Sequence, residues 1–463
     1  MYSIRFSVFT AIVLLSLGGH ANELDEALSG FDDTPFDSMD EKENTDEDAL
    51  LDGFDDTSTA GIEMEVEDTT YSLPGVTGKL TQQAVYSLYT DKPHDNISSF
   101  KSSFQLDYEH KFENGFKFKT NAKAYYDAMY DIRGSDKFSQ DELNELRSEV
   151  ELFDAYIQGT ITDNFDMKLG RQVVVWGRSD TIRVTDILNP LDNRRPGMVD
   201  IENLRLPVSM AKFDYFIGDW RVTPIAILEQ RFTKRPPFGS VFYPAPLPAP
   251  DDKEYSDVSY ALSVGGEFTG WDINFYAARI RDDEGYIVSS GQTSIIEHDK
   301  INMFGTALNV LHGSWLLKTE FAYFDGLKYS TTGEEEFTRR DLLLGFEYKG
   351  IADTMISYDL VHKDIGEYDQ RVMKELNPLN KHSYQHAFRI SSDFMHATLT
   401  ANYLIFMNGE KFDEGGFQRA WIKYELGEGI NTNIGAVDYI GGTLSFDAIK
   451  DNDMLFVDIS YSF

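Results

Sequence analysis

Cysteine is absent from the 463-residue sequence. Its absence excludes a disulfide framework, a thiol nucleophile and any thiolate metal site. Positive charge is also scarce, since 42 lysines and arginines face 78 aspartates and glutamates, for a net charge of −36. A nucleic-acid partner is therefore not expected, because such binding depends on basic side chains that neutralise phosphates.

Long hydrophobic runs are missing beyond the amino terminus. The one apolar stretch follows Arg5 and extends from Phe6 to Leu17, which is shorter than the roughly 20 residues of a spanning helix. The small residues Gly19 and Ala21 come next, and this combination predicts a secretory signal peptide over residues 1–21. We expect the mature chain to begin at Asn22.

An acidic segment follows over residues 22–78. Between residues 22 and 68 it contains nineteen acids and a single lysine, with few apolar side chains, so we expect it to be a disordered periplasmic segment. A Leu-x-Gly-Phe-Asp-Asp-Thr unit occurs twice, beginning at Leu28 and at Leu51. It is either part of a solvated linker or a pair of docking motifs for a periplasmic partner. The candidate docking residues are Phe31, Asp32, Asp33, Phe54, Asp55 and Asp56.

From residue 79 onward the apolar residues recur with a period of two. Residues 99–110 alternate between apolar and polar side chains, the Asn114-Gly115 pair marks a tight turn, and residues 116–126 alternate again. This pattern predicts a β-hairpin with one apolar face. The same unit recurs along the chain together with 14 % aromatic residues, which is typical of a membrane barrel with a wet interior.

The connections between these units alternate between short turns and long loops. We expect long loops over residues 132–148, 177–205, 232–255, 282–297, 326–338 and 364–381. Such asymmetry is typical of outer-membrane barrels, whose short turns face the periplasm. The sequence therefore predicts an all-β fold, a transmembrane antiparallel β-barrel over residues 79–463 in the cell outer membrane. About 18 strands are expected, with 16 as the alternative, and an even number places both termini in the periplasm.

Aromatic residues recur immediately after the short turns. A ring that recurs at one depth on several hairpins is characteristic of a membrane interface, because amphipathic rings settle at the headgroup level. We therefore expect a periplasmic aromatic girdle formed by Phe116, Phe165, Trp220, Trp271 and Trp315.

The last strand alternates up to the carboxy terminus. Its apolar positions end with Val457, Ile459, Tyr461 and Phe463. This arrangement resembles the terminal-strand signal that Gram-negative barrels present to the barrel assembly machinery. Outer-membrane lipid, lipopolysaccharide and that machinery are the expected partners.

A further resemblance rests on three short elements in order, Gly170-Arg171-Gln172, Trp176-Gly177 and Asn189-Pro190-Leu191-Asp192. With them the chain resembles a large, porin-like family of Gram-negative outer-membrane β-barrels of unknown function. The resemblance implies the barrel fold and no particular substrate. Members of the family often accompany envelope exporters of the resistance-nodulation-division (RND) type, so an RND-type export partner is an implied context.

The loop that carries these elements is rich in charge and follows the fifth predicted strand. It could act as a constriction that sets a transverse field across a wet lumen, or its charges could form a structural clasp. Both interpretations stay open. Arg171 shares its predicted face with lipid-facing Leu169, which implies a bulge or a shifted strand boundary. The candidate constriction residues are Arg178, Asp180, Arg183, Asp186, Asp192, Arg194 and Arg195.

No enzymatic chemistry is expected. The histidines form no recognisable triad, and no Gly-x-Ser-x-Gly or His-Glu-x-x-His element is present, so we expect neither an enzyme nor a cofactor or metal. The predicted function is a porin-like channel for a solute or envelope compound, with loop 177–205 as its constriction. The alternative is an outer-membrane component or docking partner of an RND-type envelope or lipid export system, with little conductance of its own. The proline-rich stretch over residues 235–250 is expected to be extended at the surface.

Overall fold

The computed structural model describes residues 75–89, 91–179, 181–198, 204–290, 293–375, 377–443 and 445–463. In chain order, the strands of these residues are β1 (Val76–Ser87), β2 (Asn96–Lys111), β3 (Lys117–Asp127), β4 (Ser148–Thr162), β5 (Phe165–Gln172), β6 (Val208–Ile217), β7 (Trp220–Ile227), β8 (Ser259–Phe268), β9 (Trp271–Arg281), β10 (Tyr286–Ser290), β11 (Thr293–Glu297), β12 (Lys300–His312), β13 (Trp315–Leu327), β14 (Phe337–Ile351), β15 (Thr354–Ile365), β16 (His382–Phe394), β17 (Leu399–Asn408), β18 (Gly415–Gly427), β19 (Ile430–Ile440) and β20 (Met454–Ser462). Two short helices, α1 (Met129–Arg133) and α2 (Gln140–Leu146), lie between β3 and β4. Among the described residues, no helix is long and apolar enough to cross a membrane.

The strands form one closed barrel. Eighteen of the strands in the described residues belong to a single sheet in which every neighbouring pair is antiparallel. The barrel closes because β1 pairs with β2 on one side and with β20 on the other. The predicted antiparallel barrel of 18 strands is confirmed. The two remaining strands, β10 and β11, pair only with each other in a separate hairpin.

Alternation along each strand separates a lumen wall from an outer surface. In β9, for example, Asp272, Asn274 and Tyr276 are buried, whereas Trp271 and Phe275 are exposed. Because successive side chains of a strand point to opposite faces, the first set faces the interior and the second faces outward. We call the end of the barrel with the tight turns the short-turn rim, and the other end the long-loop rim.

The long connections contain more regular structure than the sequence suggests. Ser139 is the N-cap of α2, and its hydroxyl accepts a hydrogen bond from the backbone N–H of Glu142 at 3.1 Å. A serine followed three residues later by a glutamate is a capping-box sequence that signals the start of a helix. This signal lies in the loop predicted over residues 132–148, and that prediction did not use it. The loop predicted over residues 282–297 contains the β10–β11 hairpin.

The proline-rich stretch is not wholly external, which corrects the expectation from its sequence. Phe242 is buried, and its ring lies 5.4 Å from the ring of Tyr439 on β19. Asn452 also donates a hydrogen bond to the carbonyl of Val241 at 2.7 Å. Its centre folds into turns, with backbone hydrogen bonds from Ser240 to Pro237 and from Tyr243 to Ser240. Burial of the apolar Phe242 ring stabilises this position inside the barrel.

Two apolar clusters lie inside the barrel. The larger cluster contains Trp176, Val184 and Leu188 from the connection between β5 and β6, packed on the inner faces of the strands from β6 to β16. The smaller one joins Met198 of the same connection and Phe242 to the inner faces of β17–β20 and β1. The core of the molecule is therefore formed by long connections folded into the lumen.

Candidate functional site in the lumen

The connection over residues 173–207, here called the inward segment, joins β5 to β6. Its described residues, 173–179, 181–198 and 204–207, enter the barrel. Its two ends are held together by Asn189, which is almost fully buried. The Asn189 amide donates to the carbonyls of Gln172 and Leu206 at 3.3 and 2.8 Å and accepts from the N–H of Val174 at 2.8 Å. One side chain thus satisfies backbone groups that a buried loop would otherwise leave unpaired.

Glu320 on β13 attaches the first half of the inward segment to the wall. Its carboxylate accepts hydrogen bonds from the backbone N–H groups of Arg178 at 2.5 Å and of Ser179 and Thr185 at 3.1 Å. It also accepts from the Thr185 hydroxyl at 2.7 Å. The side chain is 2 % exposed, and charge-assisted hydrogen bonds of this kind are the strong ones.

The neighbouring Trp176-Gly177 pair fits the same wall. The indole of Trp176 stacks on Tyr276 of β9, with ring centroids 4.6 Å apart. Gly177 has φ +89°, and a Cβ there would lie 2.8 Å from Glu320 Oε2. Because only glycine combines this backbone conformation with so close an approach, the pair positions the turn against the carboxylate.

A buried ion pair ties the two arms of the segment together. Arg205 Nε donates to Asp186 Oδ2 at 2.8 Å, and both side chains are almost inaccessible. Arg183 donates to the carbonyls of Asp186 and Asn189. Arg178 pairs with Asp272 on β9. These buried charges pair with one another and with backbone carbonyls, which offsets the cost of removing them from water.

The second half of the segment is attached to β3 and β4. Arg194 binds Asp192 at 2.6 Å and Glu149 at 2.7 Å, and Arg195 lies 3.4 Å from Asp127. Burial disfavours the charged carboxylate of Asp192, but the hydrogen bonds and charge of Arg194 outweigh it and lower the pKa of Asp192. Burial likewise opposes the charged form of Arg194, yet Asp192 and Glu149 raise its pKa.

The inward segment therefore crosses the lumen. In the ring of strands, β13 with Glu320 lies eight strands from β3 with Asp127, which is almost diametrically opposite in a ring of 18 described strands. In its second half the segment also contacts β19, because Tyr439 donates a hydrogen bond to the carbonyl of Pro196. A loop attached to opposite walls narrows the opening between them.

A family model matches residues 5–463, almost the whole chain. The chain belongs to that family, DUF1302, described as a protein of unknown function. No curated protein matches this DUF1302 chain significantly.

Solved porin structures share the fold at low sequence identity. A BenF-like porin from Pseudomonas fluorescens Pf-5 matches with a TM-score of 0.53 and 12 % identity, over 84 % of this chain and 98 % of the porin. The outer membrane protein OpdK from Pseudomonas aeruginosa matches with a TM-score of 0.51 and 11 % identity, over 85 % of this chain and 100 % of OpdK. At such identities the similarity shows the fold alone, and this DUF1302 protein has the porin-like barrel fold.

Most of the candidate constriction residues come together in the inward segment of this DUF1302 protein. Six of the seven have the contacts described above, and Asp180 lies outside the described residues. The candidate docking residues Phe31, Asp32, Asp33, Phe54, Asp55 and Asp56 also lie outside them.

The five residues of the predicted girdle lie at the short-turn rim. Trp220, Trp271 and Trp315 each open a strand there and are 38, 40 and 43 % exposed. Phe165 is the first residue of β5, and its ring stacks on Phe213. Phe116 directly precedes β3, and its ring lies against Gly159 of β4. All five rings are therefore on the outer surface at one end of the barrel.

The carboxy-terminal strand presents its alternating apolar side chains outward. Val457, Ile459 and Tyr461 on β20, and Phe463 directly after it, are each between 42 and 52 % exposed. Phe463 exchanges two backbone hydrogen bonds with Gly78 of β1, at 2.7 and 2.9 Å. The terminal residue thus takes part in closing the barrel.

Arg171 keeps the strand position that the alternating pattern predicts, on the same face as Leu169. It pairs in register with Ala155 of β4 and Ser209 of β6, without a shift in β5. Its guanidinium forms ion pairs with Glu151 at 3.2 Å and Glu229 at 3.3 Å. The register shifts lie instead in β4, one beside Asn121 and Ala122 of β3 and one between Thr160 and Thr162.

The main anchors of the segment were not identified from the sequence. Glu320 is one charged residue in an alternating strand, and its partner Arg178 lies 142 positions away along the chain. Tyr276, Asp127 and Glu149 are likewise ordinary strand residues in the sequence. Only their lumen-facing register could have marked them as candidates. No cluster of metal-ligating side chains occurs in the part of the chain that the structure describes.

Proposed function

We propose that this protein is an outer-membrane channel of the porin type that passes a solute or envelope compound through a lumen narrowed by the inward segment. One observation carries the proposal: the segment is attached at once to Glu320 on one wall and to Asp127, through Arg195, on the opposite wall. A loop held from both sides sets the width of a passage.

The outer surface of the barrel supports a location in the outer membrane. Large apolar side chains such as Phe275, Phe304 and Leu344 are 48, 57 and 52 % exposed there. A surface of this kind is stable only when lipid covers it. Signal peptide 1–21, assembly by the barrel machinery, and contact with lipid and lipopolysaccharide belong to the same proposal, with both termini in the periplasm.

The charges of the inward segment serve first as a clasp in this proposal. Arg183, Asp186, Asp192, Arg194 and Arg195 each have a charged partner within the segment or on the wall. Ion-paired side chains hold the segment in place and leave a weaker net field than free charges. The narrowing itself, more than a transverse field, then sets what passes.

Single-channel conductance in a planar bilayer tests the proposal. The double variant Arg194→Ala/Arg195→Ala removes the attachment to β3 and β4, and we expect steady current in the wild type with a larger, noisier conductance in the variant. Arg340→Ala is the matched control, because Arg340 pairs with Asp364 beside the long-loop rim and contacts no described residue of the segment. A correctly folded and inserted barrel without current would contradict the channel.

A second candidate function follows from the apolar clusters in the lumen. Met198, Phe242 and Trp421 pack together inside the barrel, an arrangement that suits a nearly closed lumen. The protein would then be an outer-membrane component or docking partner of an RND-type export system, bound through its acidic repeats. Deleting residues 22–68 separates the two candidates, since a channel conducts unchanged whereas a docking protein no longer retains the exporter in a pull-down from host membranes.

A further inference from the structure

Five lysines of the lumen wall lack an anionic partner. They lie on the inner faces of β1, β2, β3 and β5, and none forms an ion pair or a side-chain hydrogen bond with another described residue. We call this set the lysine row, and it consists of Lys79, Lys101, Lys119, Lys123 and Lys168. An unpaired ammonium facing an enclosed lumen is unusual in a protein with an excess of acids.

Aromatic rings support three of these lysines. The ammonium of Lys101 lies 5.3 Å from the ring centre of Tyr125, and that of Lys123 lies 3.4 Å from the ring of Phe153. Lys168 is 3.9 Å from the ring of Tyr156. A cation–π contact holds the ammonium in position without neutralising its charge, so the positive charge stays available.

The wall also contains carboxylates, and most of them have other partners. Asp127, directly opposite Lys101, accepts from the Ser99 hydroxyl at 2.6 Å and the Phe100 N–H at 2.8 Å, and also binds Arg195.

The remaining carboxylates follow the same rule. Asp214 is held by Lys212 at 2.7 Å and by the Thr223 hydroxyl at 2.6 Å. Asp107 accepts from Gln105 and Asn121, Glu109 pairs with Lys117, and Asp458 accepts from Asn433. Glu151, directly opposite Lys123, pairs with Arg171 at 3.2 Å and with Arg231 at 2.5 Å. Asp154 and Asp166, opposite Asn121 and Thr160, are two further acids of this wall, and both lie beyond ion-pair distance of the lysine row.

The register places like charges next to one another. Lys168 lies directly opposite Lys212 across the β5–β6 pair. Lys79 and Lys123 lie on either side of Gln105. Like charges directly opposite in a sheet are destabilising. The carboxylates of Asp154 and Asp214 act on Lys168 only from beyond ion-pair distance. An arrangement of this kind points to a mobile anion as the missing partner.

The row extends from the inward segment toward the short-turn rim. Lys101 is at its inner end, beside the Asp127 that binds Arg195. Lys123 comes next, and Lys119 follows four residues closer to the rim, which is about 13 Å at the rise of a strand. An anion that passes the segment would therefore meet successive ammonium groups along one wall.

We propose that the lysine row is a transit path for small organic carboxylates on the short-turn side of the inward segment. The proposal rests on the proposed channel function and names its substrate class. Ammonium groups spaced singly along a wall each bind one carboxylate weakly and pass it on, whereas a phosphate group is held best by several converging donors. The rings of Tyr125, Phe153 and Tyr156 offer apolar contact to the organic part of such a ligand.

The test measures reversal potentials across a planar bilayer, first in a gradient of potassium chloride and then of potassium benzoate. The variant is Lys119→Gln/Lys123→Gln/Lys168→Gln. One charge at about 7 Å in water changes the local anion concentration roughly two- to three-fold, so three charges should lower the anion-to-cation permeability ratio about ten-fold. Lys411→Gln, an exposed position between β17 and β18, is the control and should leave the ratio unchanged.

The outcomes separate the path from the channel. An anion preference that the triple variant alone loses supports the path. A conducting channel whose preference is absent or unchanged in the triple variant overturns the path and leaves the channel standing. If no current flows, the channel proposal fails, and calorimetric titration of the purified, folded barrel with benzoate tests the lysine row by itself. Benzoate binding that the triple variant loses supports the row. Absence of benzoate binding to the wild type overturns it.

Discussion

Replacing Glu320 with glutamine should release the inward segment from the wall of the barrel. In the wild type the carboxylate accepts four hydrogen bonds from Arg178, Ser179 and Thr185. Glutamine keeps one acceptor oxygen, but its amide group would face donors on the other side. Because the site is buried, these donors cannot turn to water instead.

The magnitude follows from the hydrogen bonds that are lost. A hydrogen bond to a charged group contributes about 1.5–3 kcal/mol, and two of the four contacts disappear, so we expect a loss of about 3 kcal/mol or more. That corresponds to a roughly 100-fold larger population of the detached segment. Hydrogen exchange of the purified barrel, followed by mass spectrometry of peptides that contain residues 176–186, measures this population directly, and protection of these amides should fall about 100-fold.

Asp341→Asn provides the control for this experiment. Asp341 is another buried wall carboxylate, paired with Arg339 at 2.9 Å and in contact with no described residue of the inward segment. Protection of residues 176–186 should survive in this variant. Equal protection in Glu320→Gln and the wild type would refute the anchoring role of Glu320, and equal loss in both variants would mean that any damaged wall loosens the segment.

Three further predictions concern the same segment. Gly177→Ala should lower protection of residues 176–186 at least ten-fold, because the added Cβ would lie 2.8 Å from Glu320 Oε2 at φ +89°; unchanged exchange would contradict the close approach. Asn189→Ala should leave buried backbone groups unpaired, costing about 1–3 kcal/mol, and limited proteolysis should then cut within residues 173–207 while the barrel stays intact. The pKa of Asp192 is lowered in the folded protein, so its contribution to attachment is complete above the ordinary aspartate range near pH 4 and is lost as the pH falls through the lowered value. Channel noise should accordingly be constant from pH 7 to pH 5 and increase only below the ordinary aspartate range near pH 4. Noise that already increases near pH 6 would exclude Asp192 as the cause.

The barrel could be predicted from the sequence because alternate residues of a strand in a membrane barrel face lipid and the wet lumen, so apolar and polar residues alternate along it. Phe116, Trp220 and Trp271 follow tight turns in the sequence, and the structure places all three on the outer surface at the short-turn rim. The strand count followed from the turns for the same reason. Local chemistry was sufficient wherever one strand and its nearest neighbour decided the outcome.

The sequence was less informative where a long connection folds. Phe242 lies in a stretch whose prolines predict an external loop, yet it is buried against Tyr439. The hairpin of β10 and β11 was predicted as a loop, since five-residue strands leave little periodic signal. In both cases a contact made elsewhere in the barrel outweighed the local preference.

The amino-acid sequence by itself determined the class of the protein, the outward-facing residues and the position of the charge-rich segment after the fifth strand. Only the tertiary structure decided that this segment crosses the lumen and that Glu320 and Asp127 hold it from opposite walls. It also showed that five lumen lysines have no anionic partner among the described residues. The physical reason is the separation along the chain between the residues that interact. Alternation and turns are properties of neighbouring residues, whereas ion pairing across a lumen depends on which distant strands barrel closure brings face to face.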